Sequence, residues 1–584
     1  MKEGNEIMEG AIKRWILGGA VAVTLVFWAG FNDPFNAPKS WLISISGFWI
    51  IGWLLFQRKR IASERSLTIA ATLSLFFVLS MTIDLLITDN KYVGFFGEYG
   101  RRTGYIEYIS LIAFFLASAI VIDGDFLETL TNIFLVLGFV IGIYGFLQHF
   151  HIDFISWNTP FNSITSYFGN PDFAAAAMAI FLILNFGLII YRNSYRVRVI
   201  ACFNVVLLAI TIAFSRVLQG VVASILGVSV IGLIWLYQRN RSASLVFAGL
   251  GFMSLIMGIA GTLNVGPLRH LLYKSSVAYR GDYWRAGWRM FITHPWFGVG
   301  LDRYGANFRL YRDQTQVLRR GPDIVSNAAH NVIIQIAATG GIVLLIPYTA
   351  LIGFIAWRAV VAIKMARDQR KILVVTLVAT WIAYEAQSLI SIDDLAVAIW
   401  GFIIGGAIVG TSLSLQRGGT KQPSLPSRRI SGLEAAEFPL QQTLSYSFIL
   451  IPFVLSIILM RSETAYRQLQ STMAPAKGSQ SQLYETIALK PISYGLREPL
   501  FEVGSANALA SGGDYPKAEI LLKKVLARDS KNFDAANTLA AIYEYLQDFQ
   551  KALPIRSITV QLDPQNTKMR QLQKSDQSKL LFKR

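Results

Sequence analysis

Long apolar runs separated by short polar stretches recur along most of the chain, and most have the roughly 17–25 residues that a bilayer-crossing helix needs. About thirteen runs are present. Those at 41–56, 395–410 and 446–460 are short, so the number of membrane spans depends on whether these three runs cross the bilayer. The pattern predicts an all-α, polytopic transmembrane helix bundle over residues 1–462. The other runs lie at 12–31, 67–87, 105–122, 130–148, 173–191, 198–214, 218–236, 243–263, 332–353 and 372–392.

The composition supports a membrane protein and argues against other classes. Of the 584 residues, 53% are hydrophobic and 15% are charged, and the mean hydropathy is +0.45. Soluble domains are less apolar and about 25% charged. Lysines and arginines beside anionic lipid explain the net charge of +18 better than a nucleic-acid partner does. The single cysteine, Cys202, excludes a disulfide framework and a paired-thiol metal site.

The basic residues predict which side of the membrane each loop faces, because cytoplasmic loops carry an excess of lysine and arginine. With a cytoplasmic N-terminus, the outer loops at 32–40, 149–172 and 393–394 carry almost no basic residues. The loop 264–331 and the chain after about residue 461 are then extracytoplasmic, in a multi-pass protein of the cytoplasmic membrane. The inner loops collect Arg58, Lys59, Arg60, Arg65, Arg192, Arg196, Arg198, Arg239, Arg241, Arg358, Lys364, Arg367, Arg370, Lys371, Arg417, Lys421, Arg428 and Arg429.

The segment after the last apolar run contains an internal repeat. A helix–turn–helix repeat of 34 residues, with an aromatic residue opening its second helix and an alanine where the helices cross, is typical of tetratricopeptide repeats. Such a tail is either a spacer or cap for the membrane domain, or a docking surface for a protein partner or a polymer. The matching positions, all 34 residues apart, are Gly513–Ala518 with Gln547–Ala552, Asp529 with Asp563, and Asn532 with Asn566.

These observations predict the domain organisation. The membrane domain at 1–462 includes the extracytoplasmic loop 264–331. A linker at 463–498 leads to tetratricopeptide-like repeats at 499–566. We expect the basic end at 567–584 to be disordered.

The loop 264–331 holds ten lysine or arginine residues, although it faces outward in this topology. Lysine and arginine are usually enriched in cytoplasmic loops, so this much positive charge in an outward-facing loop needs an explanation. The planar guanidinium group of arginine binds phosphate oxygens in a bidentate manner, so a cluster beside the outer leaflet suits a lipid-linked diphosphate. The alternative is a solvated loop whose basic residues contact anionic headgroups.

Several short motifs lie at the predicted outer ends of the helices, in a fixed order. The motifs are Gly97–Gly104, Phe168–Phe173, Ser215-Arg216, Tyr279–Trp288, Thr293–Gly300 with its His-Pro-x-x-Gly-x-Gly turn, and Ala329-His330-Asn331. No single motif is specific, but their order and their placement on one membrane face are. Together they resemble the O-antigen ligase and O-antigen polymerase superfamily over about residues 90–410. The resemblance implies that the loop 264–331 is catalytic.

The resemblance implies that Arg216, Arg280 and His330 form an active site. Members of the superfamily transfer a sugar chain from an undecaprenyl diphosphate carrier onto an acceptor hydroxyl, without a metal ion or other cofactor. The chemistry of the residues agrees, because guanidinium groups neutralise a leaving diphosphate and a histidine can accept the proton of the attacking hydroxyl. The structural alternatives are an arginine that anchors a helix end and a satisfied interface histidine.

Other polar residues of the motifs are expected to bind substrate. These are Arg285, Asn331, Asn170, Arg101 and Arg102, and for Asn331 the alternative is a helix cap. His294 and Pro295 indicate a turn rather than catalysis, and Gly298 and Gly300 indicate backbone freedom.

Acidic residues near the predicted end of the run 372–392 complete the candidate site. An ionisable residue inside a span is costly unless it is paired, so we expect Glu385 to orient Arg216 or Arg280. Asp393 and Asp394 follow at the membrane edge, where solvation is the simpler interpretation than a cation site.

Two other classes of function remain open at this stage. A transporter or flippase of lipid-linked glycan would show inverted repeats and interrupted helices, and no repeat between the halves is apparent. A membrane-anchored scaffold would use only the repeat tail. For an enzyme, the partners are a polyprenyl-diphosphate-linked glycan donor, membrane lipid, and a lipid, glycan or protein acceptor that the sequence does not distinguish.

Overall fold

The computed structural model describes residues 2–155, 157, 164–417, 432–472 and 482–582, and these segments contain helices and no strand. The predicted all-α, polytopic class is confirmed. Lys421, Arg428 and Arg429 of the predicted inner loop, the residues 473–481 of the predicted linker and the last two residues of the predicted tail lie outside the described residues.

The part of the chain that precedes the tail contains nineteen of the described helices. They are α1 (Lys2–Leu25), α2 (Asn36–Leu54), α3 (Arg58–Ala62), α4 (Arg65–Ile87), α5 (Lys91–Phe96), α6 (Tyr105–Val121), α7 (Gly124–His149), α8 (Pro171–Tyr191), α9 (Tyr195–Ser215), α10 (Leu218–Arg239), α11 (Arg241–Thr262), α12 (Arg269–Leu272), α13 (Ser275–Thr293), α14 (Tyr304–Tyr311), α15 (Gln314–Arg320), α16 (Val332–Met365), α17 (Asp368–Ser388), α18 (Leu395–Gln416) and α19 (Gly432–Ser471).

Nine of the described helices are long and apolar enough to cross a membrane: α4, α7, α8, α9, α10, α11, α16, α18 and the part of α19 from Thr443 onward. The other four predicted runs are also helical, in α1, α2, α6 and α17. Of these, α6 has only 17 residues, and α17 carries charged residues at its start and Glu385 near its end. The count of thirteen spans therefore stays a prediction.

Helix α18 forms the centre of the bundle. Its residues from Leu395 to Leu413 are all buried, and it packs against α6 and α16. A helix that is apolar on every face can be buried on every face, which explains this central position. Helix α11, by contrast, is almost entirely exposed in the structure, as expected of a helix at the edge of a bundle that faces lipid.

Asp393 and Asp394 were expected to be solvated, and this expectation is wrong. Both side chains are buried, at 4% and 3% exposure. Asp393 accepts hydrogen bonds from the hydroxyl groups of Tyr108 at 2.8 Å and Tyr384 at 3.0 Å. Asp394 caps α18 by accepting a hydrogen bond from the backbone N–H of Ala396 at 3.1 Å.

Helix α16 is interrupted at Gly341, where the backbone has φ of 60° and ψ of −158°. The turn that contains Pro295 and Gly298 occupies the interruption. The N–H groups of Val299 and Gly300 donate to the carbonyls of Ala338 at 2.9 Å and Thr339 at 3.2 Å, and the N–H groups of Ile342 and Val343 donate to the carbonyls of Pro295 at 2.8 Å and Trp296 at 3.2 Å. The loop thereby satisfies backbone groups that a broken helix leaves without partners.

The helical tail, residues 482–582, keeps the predicted period. Pro499, Phe533 and Thr567 begin helices at intervals of 34 residues, as do Tyr515 and Phe549. The helices of this tail are α20 (Gln482–Ser493), α21 (Pro499–Ser511), α22 (Tyr515–Arg528), α23 (Phe533–Tyr545), α24 (Phe549–Leu562) and α25 (Thr567–Phe582). The two matching alanines, Ala518 and Ala552, are both fully buried, which suits a close helix crossing.

Two predicted boundaries need correction. The end at 567–584 was expected to be disordered, but Thr567–Phe582 forms α25 because Met569 is buried and Gln573 donates to Ser557 of α24 at 2.9 Å. The segment 463–498 was expected to be a linker, but α19 continues through it to Ser471 and α20 follows.

Replacing Gly298 by alanine is expected to destabilise the protein by about 1–3 kcal/mol, the usual cost of overpacking. A Cβ at Gly298 would lie 2.4 Å from the Ala338 carbonyl oxygen, and the residue has φ of 60°. Thermal unfolding in detergent measures the effect. Gly513→Ala is the control, because Gly513 has φ of 90° but nothing within 4 Å of a Cβ. Equal loss of stability in both variants would contradict the packing of this turn into α16.

Candidate active site

The long loop, residues 264–331, folds onto the start of α16 around its own small core. Tyr283, Ala286 and Met290 recur on one face of α13 and are buried. They pack against Tyr304 and Phe308 of α14, with Ala329 and Ala338 completing the cluster. A helical apolar stripe of this kind fixes which face of α13 points inward. The positions of the Arg280 and Trp284 side chains follow from this orientation of the helix.

The side chain of Arg280 contacts the first turns of two helices, α8 and α10. Its Nη2 donates to a carboxylate oxygen of Asp172 at 3.0 Å, in the first turn of α8, and lies 3.5 Å from the side-chain oxygen of Gln219 in the first turn of α10. The amide of Gln219 in turn donates to Gln387 of α17 at 2.7 Å. Sequence reasoning missed Asp172, Gln219 and Gln387 as partners; Asp172 lies in a quoted motif, but no pattern marks the two glutamines.

His330 is held in an unusual backbone conformation directly before α16. Its φ is 52°, and its carbonyl accepts a hydrogen bond from the indole N–H of Trp284 at 3.3 Å. The imidazole stacks on the ring of Tyr283, with 5.2 Å between centroids and 29° between planes. Residues in the left-handed region cost energy and persist where the surroundings hold them in place.

Guanidinium groups surround His330. Burial lowers the pKa of His330 to about 3, assisted by the nearby charges of Arg101, Arg280 and Arg320. Arg320 also lies 4.0 Å from the ring centroid of Tyr279 and contacts the hydroxyl of Tyr283. The imidazole is therefore neutral near pH 7. The structure brings Arg280 and His330 into one electropositive environment, and it adds Arg320, which sequence reasoning did not select.

Arg216 ends α9 in the left-handed conformation, with φ of 57°. Its side chain is exposed. Within the described part of the chain, the guanidinium group forms no hydrogen bond and no ion pair. It lies three residues before Gln219, which contacts Arg280. Arg216 is absent from the charges that lower the pKa of His330.

The two asparagines of the motifs cap helices. Asn170 accepts a hydrogen bond from the N–H of Asp172 at 2.8 Å. Asn331 accepts from the N–H of Ile334 at 2.9 Å and donates to the Leu389 carbonyl at 2.7 Å. Caps at these positions fix where α8 and α16 begin, so both residues act on the site through the helix ends that they set.

Most of the charge in the long loop is neutralised inside the chain, which differs from the predicted phosphate-binding cluster. Arg285, for example, pairs with Asp282 and Asp313, although its side chain is 51% exposed. Arg280 pairs with Asp172. The further pairs are Arg289 with Asp313, Arg303 with Asp529, Arg309 and Arg312 with Asp563, and Arg319 with Asp282.

The two arginines of the segment Gly97–Gly104 have different surroundings. Arg101 donates to the side-chain oxygen of Asn327 at 2.9 Å and lies near His330. Arg102 is 2% exposed and forms ion pairs at 3.2 Å with both Glu463 and Glu498. A buried guanidinium between two carboxylates is not available to a ligand, so the predicted substrate contact of Arg102 does not fit the structure.

Glu385 does not form the predicted pair with Arg216 or Arg280. No ion pair of Glu385 is found among the described residues, and its Oε1 is buried without a hydrogen-bond partner there. The carboxylate that contacts Arg280 comes from Asp172 instead. Within the same described segments, no group of three or more histidine, cysteine, aspartate or glutamate side chains is arranged to hold a metal ion.

Comparison with protein families identifies one match. Residues 203–349 match the model of a family described as O-Antigen ligase. The matched segment contains Arg216, Arg280 and His330 together with the long loop. No curated protein matches the chain.

Arg102→Ala is expected to destabilise the protein by about 3–5 kcal/mol, because it leaves two carboxylates buried without a counter-charge. Thermal unfolding of the purified protein in detergent measures the loss. Arg497→Ala serves as the control, since Arg497 is exposed and adjacent to Glu498. A variant at Arg102 as stable as this control would contradict the structural role.

Proposed function

We propose that this protein is a glycosyltransferase that transfers or polymerises a glycan from an undecaprenyl diphosphate carrier onto an acceptor hydroxyl. The observation that carries the proposal is the position of His330, which stacks on Tyr283 and lies near the guanidinium groups of Arg101, Arg280 and Arg320. The family match over 203–349 supports a membrane glycan ligase or polymerase. The acceptor is a lipid core, the growing end of the polymer or a protein hydroxyl.

Arg280 binds the diphosphate in this proposal. Its Nε is buried and has no hydrogen-bond acceptor within the described residues, as is also true of Arg303 and Arg312. Arg280 differs from those two in the exposure of its ion-pair partner. Its present partner Asp172 is 38% exposed, and a diphosphate can replace or share that partner. Positioned guanidinium groups stabilise the charge that develops on a leaving diphosphate.

Arg216 supplies a second guanidinium. Its exposed side chain makes no ion pair within the described segments, in contrast to the paired arginines of the long loop. Its left-handed backbone, with φ of 57°, is the kind of strain that clusters at functional sites. A donor headgroup that bridges Arg216 and Arg280 would have one positive charge for each phosphate.

His330 accepts the proton of the acceptor hydroxyl as the new glycosidic bond forms. Its low pKa makes it a weak base while the site is empty. A bound diphosphate brings negative charge close to the imidazole and favours the protonated form, so the pKa of His330 rises when the donor binds. The base therefore becomes stronger in the complex in which it is needed.

The proposed location is the extracytoplasmic side of the cytoplasmic membrane. The basic residues of the connecting loops favour this orientation, as cytoplasmic loops carry most of the lysine and arginine. A lipid-linked donor reaches the outer leaflet there, where no nucleotide sugar is available. We expect no metal requirement, because arginine side chains provide the positive charge.

A transporter of lipid-linked glycan is the second candidate, favoured by the interruption of α16 at Gly341. Interrupted helices form the binding sites of many transporters. In this protein, however, the turn at Pro295–Gly300 occupies the interruption through four backbone hydrogen bonds. The broken segment is therefore less available to a passing substrate than in such transporters.

Substitution of the site residues tests the enzyme directly. In proteoliposomes supplied with a polyprenyl-diphosphate glycan, His330→Ala is expected to lower kcat by about 10²–10⁴-fold, the usual contribution of a general base. Arg280→Ala and Arg216→Ala are expected to lower kcat/KM by about 10²–10³-fold. Activity is expected to persist in EDTA.

Arg269→Ala is the matched control, because Arg269 is an exposed arginine of the same loop that the site does not use. Wild-type transfer by both the His330 and Arg280 variants would overturn the proposal. Loss of glycan transport across the membrane, with transfer chemistry intact, would favour the transporter instead.

The pH dependence follows from the pKa of His330. A base with a pKa near 3 stays unprotonated as the pH falls, so kcat/KM is expected not to lose a His330 contribution between pH 7 and pH 5. The acid limb of kcat is expected at higher pH than that of kcat/KM, because kcat reports the donor complex. Initial rates across pH measure both; a kcat/KM midpoint near 6.5 would contradict the described environment of His330.

A further inference from the structure

Two acids at equivalent positions of the 34-residue repeat, Asp529 and Asp563, bind arginines of the long loop. Asp529 pairs with Arg303, and both side chains are 3% exposed. Asp563 accepts from Arg312 at 2.7 Å and 2.8 Å with both side chains fully buried, and from Arg309 at 3.3 Å. Buried ion pairs of this kind fix geometry, because a lost partner leaves an uncompensated charge.

These arginines bracket α14. Arg303 is the residue immediately before the helix, and Arg312 is the residue immediately after it. Successive repeats of the helical tail therefore hold the two ends of one short helix. The ring of Phe533, between the two acids in sequence, adds a contact 4.1 Å from the guanidinium carbon of Arg309.

Two aromatic residues of α14 contact the surroundings of His330. The hydroxyl of Tyr304 donates to the carbonyl of Tyr283 at 2.7 Å, and the rings of Phe308 and Tyr283 pack in a T-shaped arrangement with 5.8 Å between centroids. Tyr283 is the residue on which the imidazole of His330 stacks. Helix α14 thus contacts both the tail and the ring that stacks on the proposed base.

Two further connections reach the backbone before His330. Asp302 precedes Arg303 and accepts from the side-chain amide of Gln335 at 3.4 Å, and the oxygen of Gln335 accepts from the N–H of Ala329 at 2.8 Å. Arg312 also donates to the carbonyls of Pro322 at 2.8 Å and Ile324 at 3.2 Å. Both ends of α14 are therefore linked to the segment that leads to His330.

We propose that the helical tail is an intramolecular brace, in which Asp529 and Asp563 are positioning residues that hold α14 and, through Tyr283 and Gln335, the proposed base His330. The acids that mark the repeat in the sequence face the protein's own loop, and they are not free to bind a separate partner. This inference rests on the proposed function for its effect on catalysis, while its structural part stands on the contacts alone.

The test uses the full-length protein in proteoliposomes, with Asp529→Asn, Asp563→Asn and the double variant. Displacing a catalytic group by about 1 Å can cost 10²-fold in rate, and we expect the double variant to lose about tenfold or more in kcat. Donor KM is expected to change less than about threefold, because among the described residues neither Arg216 nor Arg280 forms a hydrogen bond or an ion pair with the tail. Asp534→Asn is the control, since Asp534 is an exposed acid of the same tail.

A charge exchange separates the specific pair from general stability. Arg303→Asp and Asp529→Arg are each expected to lower kcat, and the double exchange is expected to recover most of the loss by restoring an ion pair at the same site. Hydrogen exchange of the amides in α14 and in 322–330 provides a readout independent of activity. Exchange in both segments is expected to rise in the double asparagine variant and not in the control.

The outcomes distinguish the two proposals. Suppose that His330→Ala abolishes transfer while the double variant Asp529→Asn, Asp563→Asn equals the control Asp534→Asn in kcat and in hydrogen exchange. The brace is then refuted and the proposed function stands. If His330→Ala is fully active but exchange rises in α14 and 322–330, the function fails and the brace stands. The brace would also be overturned by a fall in kcat that the double variant Arg303→Asp, Asp529→Arg does not recover, if hydrogen exchange in α14 and 322–330 is no faster.

Discussion

Buried arginines at one end of the helix bundle require carboxylates to neutralise them, and the rest of this structure depends on that constraint. An unpaired charge away from water costs several kcal/mol, and a carboxylate beside a buried guanidinium offsets that cost. Arg102 finds Glu463 and Glu498, and Arg312 finds Asp563. These acids follow the last candidate span or lie near its end. Carboxylates of the tail thus neutralise buried arginines of the loop, and these ion pairs hold the two parts together.

The same constraint separates arginines that hold the fold from arginines that are available to a ligand. Arg303 and Arg312 form ion pairs in which both side chains are at most 3% exposed, whereas Arg280 pairs with a half-exposed carboxylate and Arg216 is exposed. Positive charge at an active site is useful only if it is not already neutralised. By this criterion the long loop, although rich in arginine, offers only a few groups to a ligand, and two of its arginines, Arg280 and Arg320, lie near the proposed base His330.

Local pattern predicted much of this organisation. Runs of consecutive apolar residues identified the membrane helices. The 34-residue offset identified the helices of the tail, because the same residue types recur at that interval. Motif order selected Arg280 and His330, which the structure places together. The partners could not be predicted, since Arg102 and Glu463 are 361 residues apart in the chain and nothing local distinguishes a paired arginine from a free one. The end at 567–584 resembled a disordered segment because its few buried contacts, such as that of Met569, are irregularly spaced.

The interruption of α16 has a consequence for how the protein is made. Backbone groups without partners are costly in a hydrocarbon environment, and here the partners come from Val299, Gly300, Pro295 and Trp296. Those residues precede α16 in the chain, so they are synthesised first. The break in α16 gains these backbone partners only when the earlier segment is folded beside it, so the integrity of this helix depends on residues that lie outside it.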